Sequence, residues 1–316
     1  MEDREHRAVR LVEIDASHAG QRIDNFLLAT LKGVPKSRIY RLLRKGEVRV
    51  NKGRIKPVYR LKAGDVVRIP PVRTAEPAQQ AAAGPALCAR LEQAVLYEDE
   101  HLMVLDKPGG MAVHGGSGIR QGLIEVLRQM RPQSPELTLV HRLDRETSGC
   151  LLIAKQRPVL LALQAQFQGE GIGKHYLALL MGVWLEGERL VELPLFKNRL
   201  QSGERVVRVE EGGRAAVSVF MPRTLYHEAS LVAVTIRTGR MHQIRVHAAA
   251  LGHPVAGDAK YGDPEFNRHM KRRGLKRLFL HAARLEFLHP VTHNRVTVEA
   301  PLSDDLAQVL EALQGR

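Results

Sequence analysis

Between Pro70 and about Leu91 the chain loses its apolar periodicity and turns to Pro, Ala, Gln and Gly, with Pro70, Pro71, Pro77 and Pro85 in quick succession. A stretch of that composition has too little apolar surface to join a core, so it forces the chain into separate bodies that each close their own. The division is a small domain over 1–70, a linker over 71–91 that leaves the small domain free to move, and a large domain over 92–316. With 316 residues in all, the last is long enough to bury a substantial core. Charge splits at the same place. Residues 20–70 hold fourteen Lys or Arg against Asp24, Glu47 and Asp65, a net +11 of the chain's +14. A basic small domain on a nearly neutral larger one is the electrostatic footprint of a polyanion-binding module.

Within the small domain, Ile23, Phe26, Leu27 and Leu31 recur at helical spacing and predict a helix over 22–31. Ser37 suits an N-cap and Gly46 a C-terminal stop, which predicts a second helix over 38–45. On that helix Arg38, Arg41, Arg44 and Lys45 share one arc while Ile39, Leu42 and Leu43 share the next, so one flank packs and the other faces outward. Short strands are expected over 48–50 and 66–69, and the Asn51-Lys52-Gly53 turn adds cations beside the same face. From charge alone this face is either a solvated surface or a phosphate-binding one.

The large domain mixes strand-like segments (102–105, 151–154, 176–183, 217–220, 231–236) with helix-like ones (124–130, 160–167, 243–251), which predicts an α+β architecture. The chain's two cysteines, Cys88 and Cys150, are too far apart in sequence for a C-x-x-C pair, so neither a disulfide framework nor a zinc ribbon is indicated and a reducing cytoplasm is expected. Charged residues pervade the first twenty positions and no later run approaches a membrane span, so neither export nor anchoring is expected.

Two segments concentrate chemistry. His141-Arg142-Leu143-Asp144-Arg145-Glu146-Thr147-Ser148-Gly149 runs straight into the apolar Cys150 to Ala154, so a turn feeds a buried strand. Arg142 and Arg145 flank Asp144, and cations within reach lower a carboxyl pKa by about 1 to 3 units. An ionised Asp suits a nucleophile or an electrostatic stabiliser rather than a general acid, although an isolated Asp-Arg pair reads first as a surface ion pair. About a hundred residues on, an apolar strand leads into Thr238-Gly239-Arg240-Met241-His242-Gln243-Ile244-Arg245-Val246-His247. Competing motifs fail on spacing. The glycines over 109–118 match neither phosphate-loop pattern, so no nucleotide cofactor is expected. His242 and His247 lie about 140° apart around a helix and cannot share a metal as an i, i+4 pair does. No G-x-S-x-G is present.

These two segments, with Lys174-His175-Tyr176 between them and Lys107-Pro108-Gly109-Gly110-Met111-Ala112-Val113-His114-Gly115-Gly116 ahead, resemble in content and order the four motifs of the RluA family of pseudouridine synthases. Residues 20–70 are similar to the S4 RNA-binding domain that many members carry, and Leu200 to Arg205 and Arg277 to Ala282 resemble members acting on large-subunit ribosomal RNA. The resemblance implies a largely antiparallel central sheet flanked by helices, with the cleft across it. It matches Asp144 to the aspartate that attacks the target uridine, Tyr176 to the tyrosine that stacks on the base and is a candidate to take the C5 proton, and Arg245 to the arginine paired with the catalytic carboxylate. Arg142 matches an arginine that fills the RNA stack where the base leaves. On the S4-like domain, Lys36, Ser37, Arg38, Arg41, Arg44, Lys45, Asn51, Lys52 and Arg54 become the candidate RNA contacts. Glu146, Met241 and Ile236 depart from the usual motif residues, the last two where they could reshape the pocket. Ribosomal RNA is the implied partner, with no cofactor, no metal and a monomer by default. The same chemistry on transfer RNA, and an RNA-binding assembly factor with an idle pocket, stay open.

Overall fold

The computed structural model describes residues 8–31, 33–72, 83–115, 121–134, 136–169, 171–199 and 205–314. The chain divides into two compact units, 1–82 and 83–316.

In the first unit, strand β1 (Arg10–Glu13) precedes helices α1 (Ile23–Thr30) and α2 (Lys36–Lys45), then strands β2 (Arg49–Val50), β3 (Gly53–Arg54) and β4 (Val66–Ile69). The strands form an antiparallel sheet in the order β1-β4-β2-β3. Ile39, Leu42 and Leu43 of α2 are buried in one core with Ile23, Phe26 and Leu27 of α1, as the apolar arc requires. Helix α2 ends where expected, at Gly46 in the left-handed conformation. Its start differs. Pro35 holds the N-cap position and Ser37 sits inside the first turn, because proline's fixed φ lets the helix begin two residues earlier.

The second unit opens with α3 (Pro85–Gln93), so the end of the segment read as linker is helical: Pro85 stands at N1 and Leu91 is fully buried. There follow β5 (Val95–Glu98), β6 (Leu102–Lys107), α4 (Leu123–Met130), β7 (Thr138–Leu139), β8 (Ser148–Ala154), α5 (Arg157–Gln168), β9 (Gly173–Met181) and β10 (Arg189–Glu192). The hairpin β11 (Leu195–Arg199) and β12 (Arg205–Val209) leads to β13 (Val217–Leu225), β14 (Ala229–Ile236), α6 (Gln243–Ala250) and α7 (Pro264–Arg272). Last come β15 (Leu280–Leu288), β16 (Arg295–Glu299) and α8 (Asp304–Gln314). Among the described residues the main sheet runs β10-β13-β14-β9-β15-β8-β6-β5, with β7 on β8 and β16 on β15. All pairs are antiparallel except β15 with β8, so the expected α+β fold with a largely antiparallel sheet is borne out. All seven residues of β8 are buried, which explains the unbroken apolar run after the Asp144 loop. No helix among the described residues is long and apolar enough to cross a membrane.

Candidate active site

The sheet order places three distant segments side by side. Strand β8 carries the Asp144 loop at its N-terminal end, β15 lies between it and β9, which bears Tyr176, and β14 on the far side of β9 leads into the turn before α6, which bears Arg245. Tyr176 pairs with Val234 of β14. Asp144, Tyr176 and Arg245 therefore line one cleft, with Arg142, Ile236 and His242 among its other walls.

The Asp144 loop is held from both ends. Thr147 N–H closes a turn onto the Asp144 carbonyl at 3.2 Å. Gly149 has φ +104°, and a Cβ there would lie 2.2 Å from the Ala282 carbonyl oxygen of β15, so only glycine permits this approach. On the other side, buried Lys107 donates its three ammonium protons to the carbonyls of Pro108 at 2.7 Å, Met111 at 2.9 Å and Arg145 at 3.0 Å. Burial pushes the Lys107 pKa down to about 7, with the Glu146 charge acting against it, and three short carbonyl contacts are the arrangement of the protonated form.

Arg245 Nη1 lies 3.2 Å from Asp144 Oδ2. Its other edge is bidentate to Asp258, with Nε at 2.7 Å and Nη2 at 2.8 Å. Asp258 is completely buried; burial opposes its charge, but the Arg245 hydrogen bonds and charge hold its pKa below the usual carboxylate range. His242 Nε2 stands 3.7 Å from the same Asp144 oxygen. Burial lowers the His242 pKa against the pull of Asp144, so the ring is neutral at pH 7. The Tyr176 phenol is pushed far up, first by burial and then by the Asp144 charge, and stays protonated at neutral pH.

The cleft thus brings together an Arg-paired carboxylate and a protonated tyrosine. The sequence matches RNA pseudouridylate synthase over residues 101–250 and the S4 domain over residues 21–67. It is 54% identical over 312 residues to ribosomal large subunit pseudouridine synthase C of Escherichia coli O157:H7, covering 98% of each chain. The chain belongs to the RNA pseudouridylate synthase family. The enzyme of the same name from Pasteurella multocida (strain Pm70) is 52% identical over 311 residues, 98% of this chain and 95% of that one. Among solved structures, human RNA pseudouridylate synthase domain containing 4 aligns over 72% of this chain and 96% of its own with a TM-score of 0.59 at 25% identity.

Within this pseudouridine synthase the cation on Asp144 is Arg245, the residue the motif resemblance paired with it, and not its sequence neighbours Arg142 and Arg145. Arg145 turns outward, its Nε on the Gly110 carbonyl at 2.9 Å and 3.6 Å from Glu146. Arg142 is exposed on the cleft wall. Of the motif departures, Ile236 lines the cleft, whereas Met241 packs against Leu195, Val207, Ala216 and Val246 and leaves the cleft's shape alone. The family-like segment 200–204 and the glycines at 116 and 118 lie outside the described residues.

In the S4 unit Lys36, Ser37, Arg41, Arg44, Lys45, Asn51, Lys52 and Arg54 are exposed and Arg38 is half-buried. Asn51 is committed to the fold. Its amide donates to Asp65 at 2.9 Å and accepts from Val66 N–H at 2.8 Å, and its φ of +48° shapes the turn that presents Lys52. Asp258, Tyr261 and His242 were not singled out by sequence as site residues. The available signal was the pair Gly257-Asp258 and Tyr261-Gly262, turn glycines bracketing an acid and an aromatic just after the Arg245 helix.

Proposed function

We propose that this enzyme isomerises specific uridines to pseudouridine in large-subunit ribosomal RNA, acting as a cytoplasmic monomer without a cofactor. The observation that carries the substrate class is the identity, sustained over both units, with relatives named for that RNA. Asp144 is the attacking carboxylate: its oxygen bonds to the target nucleotide, and that bond breaks again before the product leaves, returning the free carboxylate. The N1–C1′ bond of the target uridine breaks, the uracil rotates in place, C5 bonds to C1′, the C5 proton leaves and N1 regains one. No electrons are exchanged with an outside group, so the residues need only bind, orient and move protons.

A stacked uridine presents neither face to Asp144, so the nucleotide must be extruded at a free-energy cost of a few kcal/mol. Stacking on Tyr176 returns about 1 to 3 kcal/mol. Arg142, exposed at the rim, fills the vacated stack with its guanidinium plane. Because the Tyr176 phenol stays protonated, its resting role is to stack, and it can take the C5 proton only after its own proton has passed to another base. The cationic face of α2 and the Lys52 turn anchor RNA by its phosphates.

The test is to incubate the purified protein with unmodified transcripts of large-subunit ribosomal RNA and of transfer RNA, then map pseudouridine by carbodiimide-dependent primer-extension stops. New stops confined to ribosomal RNA are expected. Stops only in transfer RNA would overturn the substrate class, and none in either would favour an idle RNA-binding factor.

A further inference from the structure

The two donors facing Asp144 come from one helix start, yet neither is oriented by that helix alone. Both are held by the tetrapeptide Asp258 to Tyr261. Gly257, with φ +75° and no room for a Cβ against the Arg277 carbonyl, turns the chain so that the Asp258 carboxylate faces Arg245. Besides Arg245, Asp258 Oδ1 accepts the N–H groups of Lys260 at 2.8 Å and Tyr261 at 3.0 Å. The guanidinium plane is thus set by Asp258, which holds two short contacts and is fully buried, and not by Asp144, which holds one longer contact and is 22% exposed.

Tyr261 adds two constraints. Its ring lies 5.1 Å from Arg245 Cζ, stacking under the cation. Its hydroxyl accepts from Val207 N–H at 3.0 Å and meets His242 Nδ1 at 2.7 Å. With one acceptor position taken by the peptide, the hydroxyl is placed to donate its hydrogen bond to Nδ1, an arrangement that puts the hydrogen of the neutral imidazole on Nε2, 3.7 Å from Asp144 Oδ2. His242 itself sits at φ +55°, a conformation few side chains adopt and one that the Tyr261 contact helps to hold.

We infer that residues 258–261 are a positioning element for Asp144: Asp258 fixes the plane of Arg245 and Tyr261 fixes the tautomer of His242, so that the Arg245 guanidinium, bonded at 3.2 Å, and the His242 Nε2 edge, 3.7 Å away, both face one carboxylate oxygen before RNA arrives. Each of the two acts on Asp144 through a partner. This inference rests on the assignment of Asp144 as the attacking group.

The test measures single-turnover pseudouridine formation and RNA affinity separately, on a large-subunit ribosomal RNA transcript, with full-length wild type, Asp258→Asn, Tyr261→Phe, His242→Asn and the Tyr261→Phe/His242→Asn double variant. Misaligning a reacting group by about 1 Å costs about 10²-fold in rate, so losses of about tenfold to a hundredfold are expected at unchanged Kd. Tyr261→Phe keeps the stacking ring and removes only the hydroxyl. The double variant is expected to be no slower than His242→Asn alone, because both changes remove the same donor. Multiplied losses in the double variant, rates within twofold of wild type in folded Tyr261→Phe and Asp258→Asn, or a rate loss matched by a rise in Kd would each overturn the inference. Should Asp258→Asn not fold, Tyr261→Phe and His242→Asn decide the outcome. Wild-type turnover of the same transcript is the control: if wild type makes no pseudouridine, the functional reading fails and not the positioning inference.

Discussion

At the scale of single residues, the site is one cation shared by two carboxylates of different character. Asp258 is buried and fully hydrogen-bonded, while Asp144 is left partly open on the cleft side, where a nucleotide can reach it. Replacing Arg245 by Met strands the Asp258 charge in the interior, which destabilises by about 3 to 5 kcal/mol. The expected result is loss of isomerase activity together with a lower denaturant midpoint. The pH dependence has a definite sign. The folded-state pKa of Asp258 is depressed, so its contribution is present above the unfolded carboxyl value near 3.9 and disappears as pH falls through the lower folded value. Wild type is therefore expected to outlast Arg245→Met in acid unfolding, with the gap closing at the lowest pH. Arg142 is different in kind. Being exposed, it can become Ala without loss of stability, while turnover falls about tenfold to a hundredfold if its stacking returns about 1 to 3 kcal/mol to the extruded state; thermal melts and single-turnover rates separate the two.

At the scale of elements, close backbone approach fixes the Asp144 loop. Gly149→Ala combines a left-handed φ with a Cβ driven into the Ala282 carbonyl, and a destabilisation of more than about 2 kcal/mol is expected by urea unfolding. Helix α2 tests the other unit. Replacing Arg38, Arg41 and Arg44 by Ala leaves the buried flank of Ile39, Leu42 and Leu43 untouched. It is expected to weaken RNA binding and lower the salt slope by about one for each phosphate that an arginine had neutralised, with an unchanged far-UV spectrum. The elements legible in sequence were those with strong periodicity: α2, β4, β8, β14 and α6 fall within a few residues of expectation. Helix α3 was not legible, because proline and alanine signal a linker and a helix start equally well until Leu91 is seen to be buried. The shared cation Arg245 was legible through its motif. Its second carboxylate was not, because Asp258 lies 13 residues beyond it and only the turn at Gly257 brings the two together.

At the scale of the whole molecule, the chain has two units: a small basic one, and a larger one whose fold gathers Asp144, Tyr176 and Arg245 from about a hundred residues of sequence. The central claim is that Asp144 performs the isomerisation while binding is carried elsewhere. It is tested most directly with large-subunit ribosomal RNA transcript tritiated at uridine C5, because the C5 hydrogen leaves only when C5 bonds to C1′. Wild type is expected to release tritium to water, and Asp144→Asn to release none while binding the same RNA with nearly the same Kd. Tritium release by Asp144→Asn at a rate near that of wild type would contradict the account.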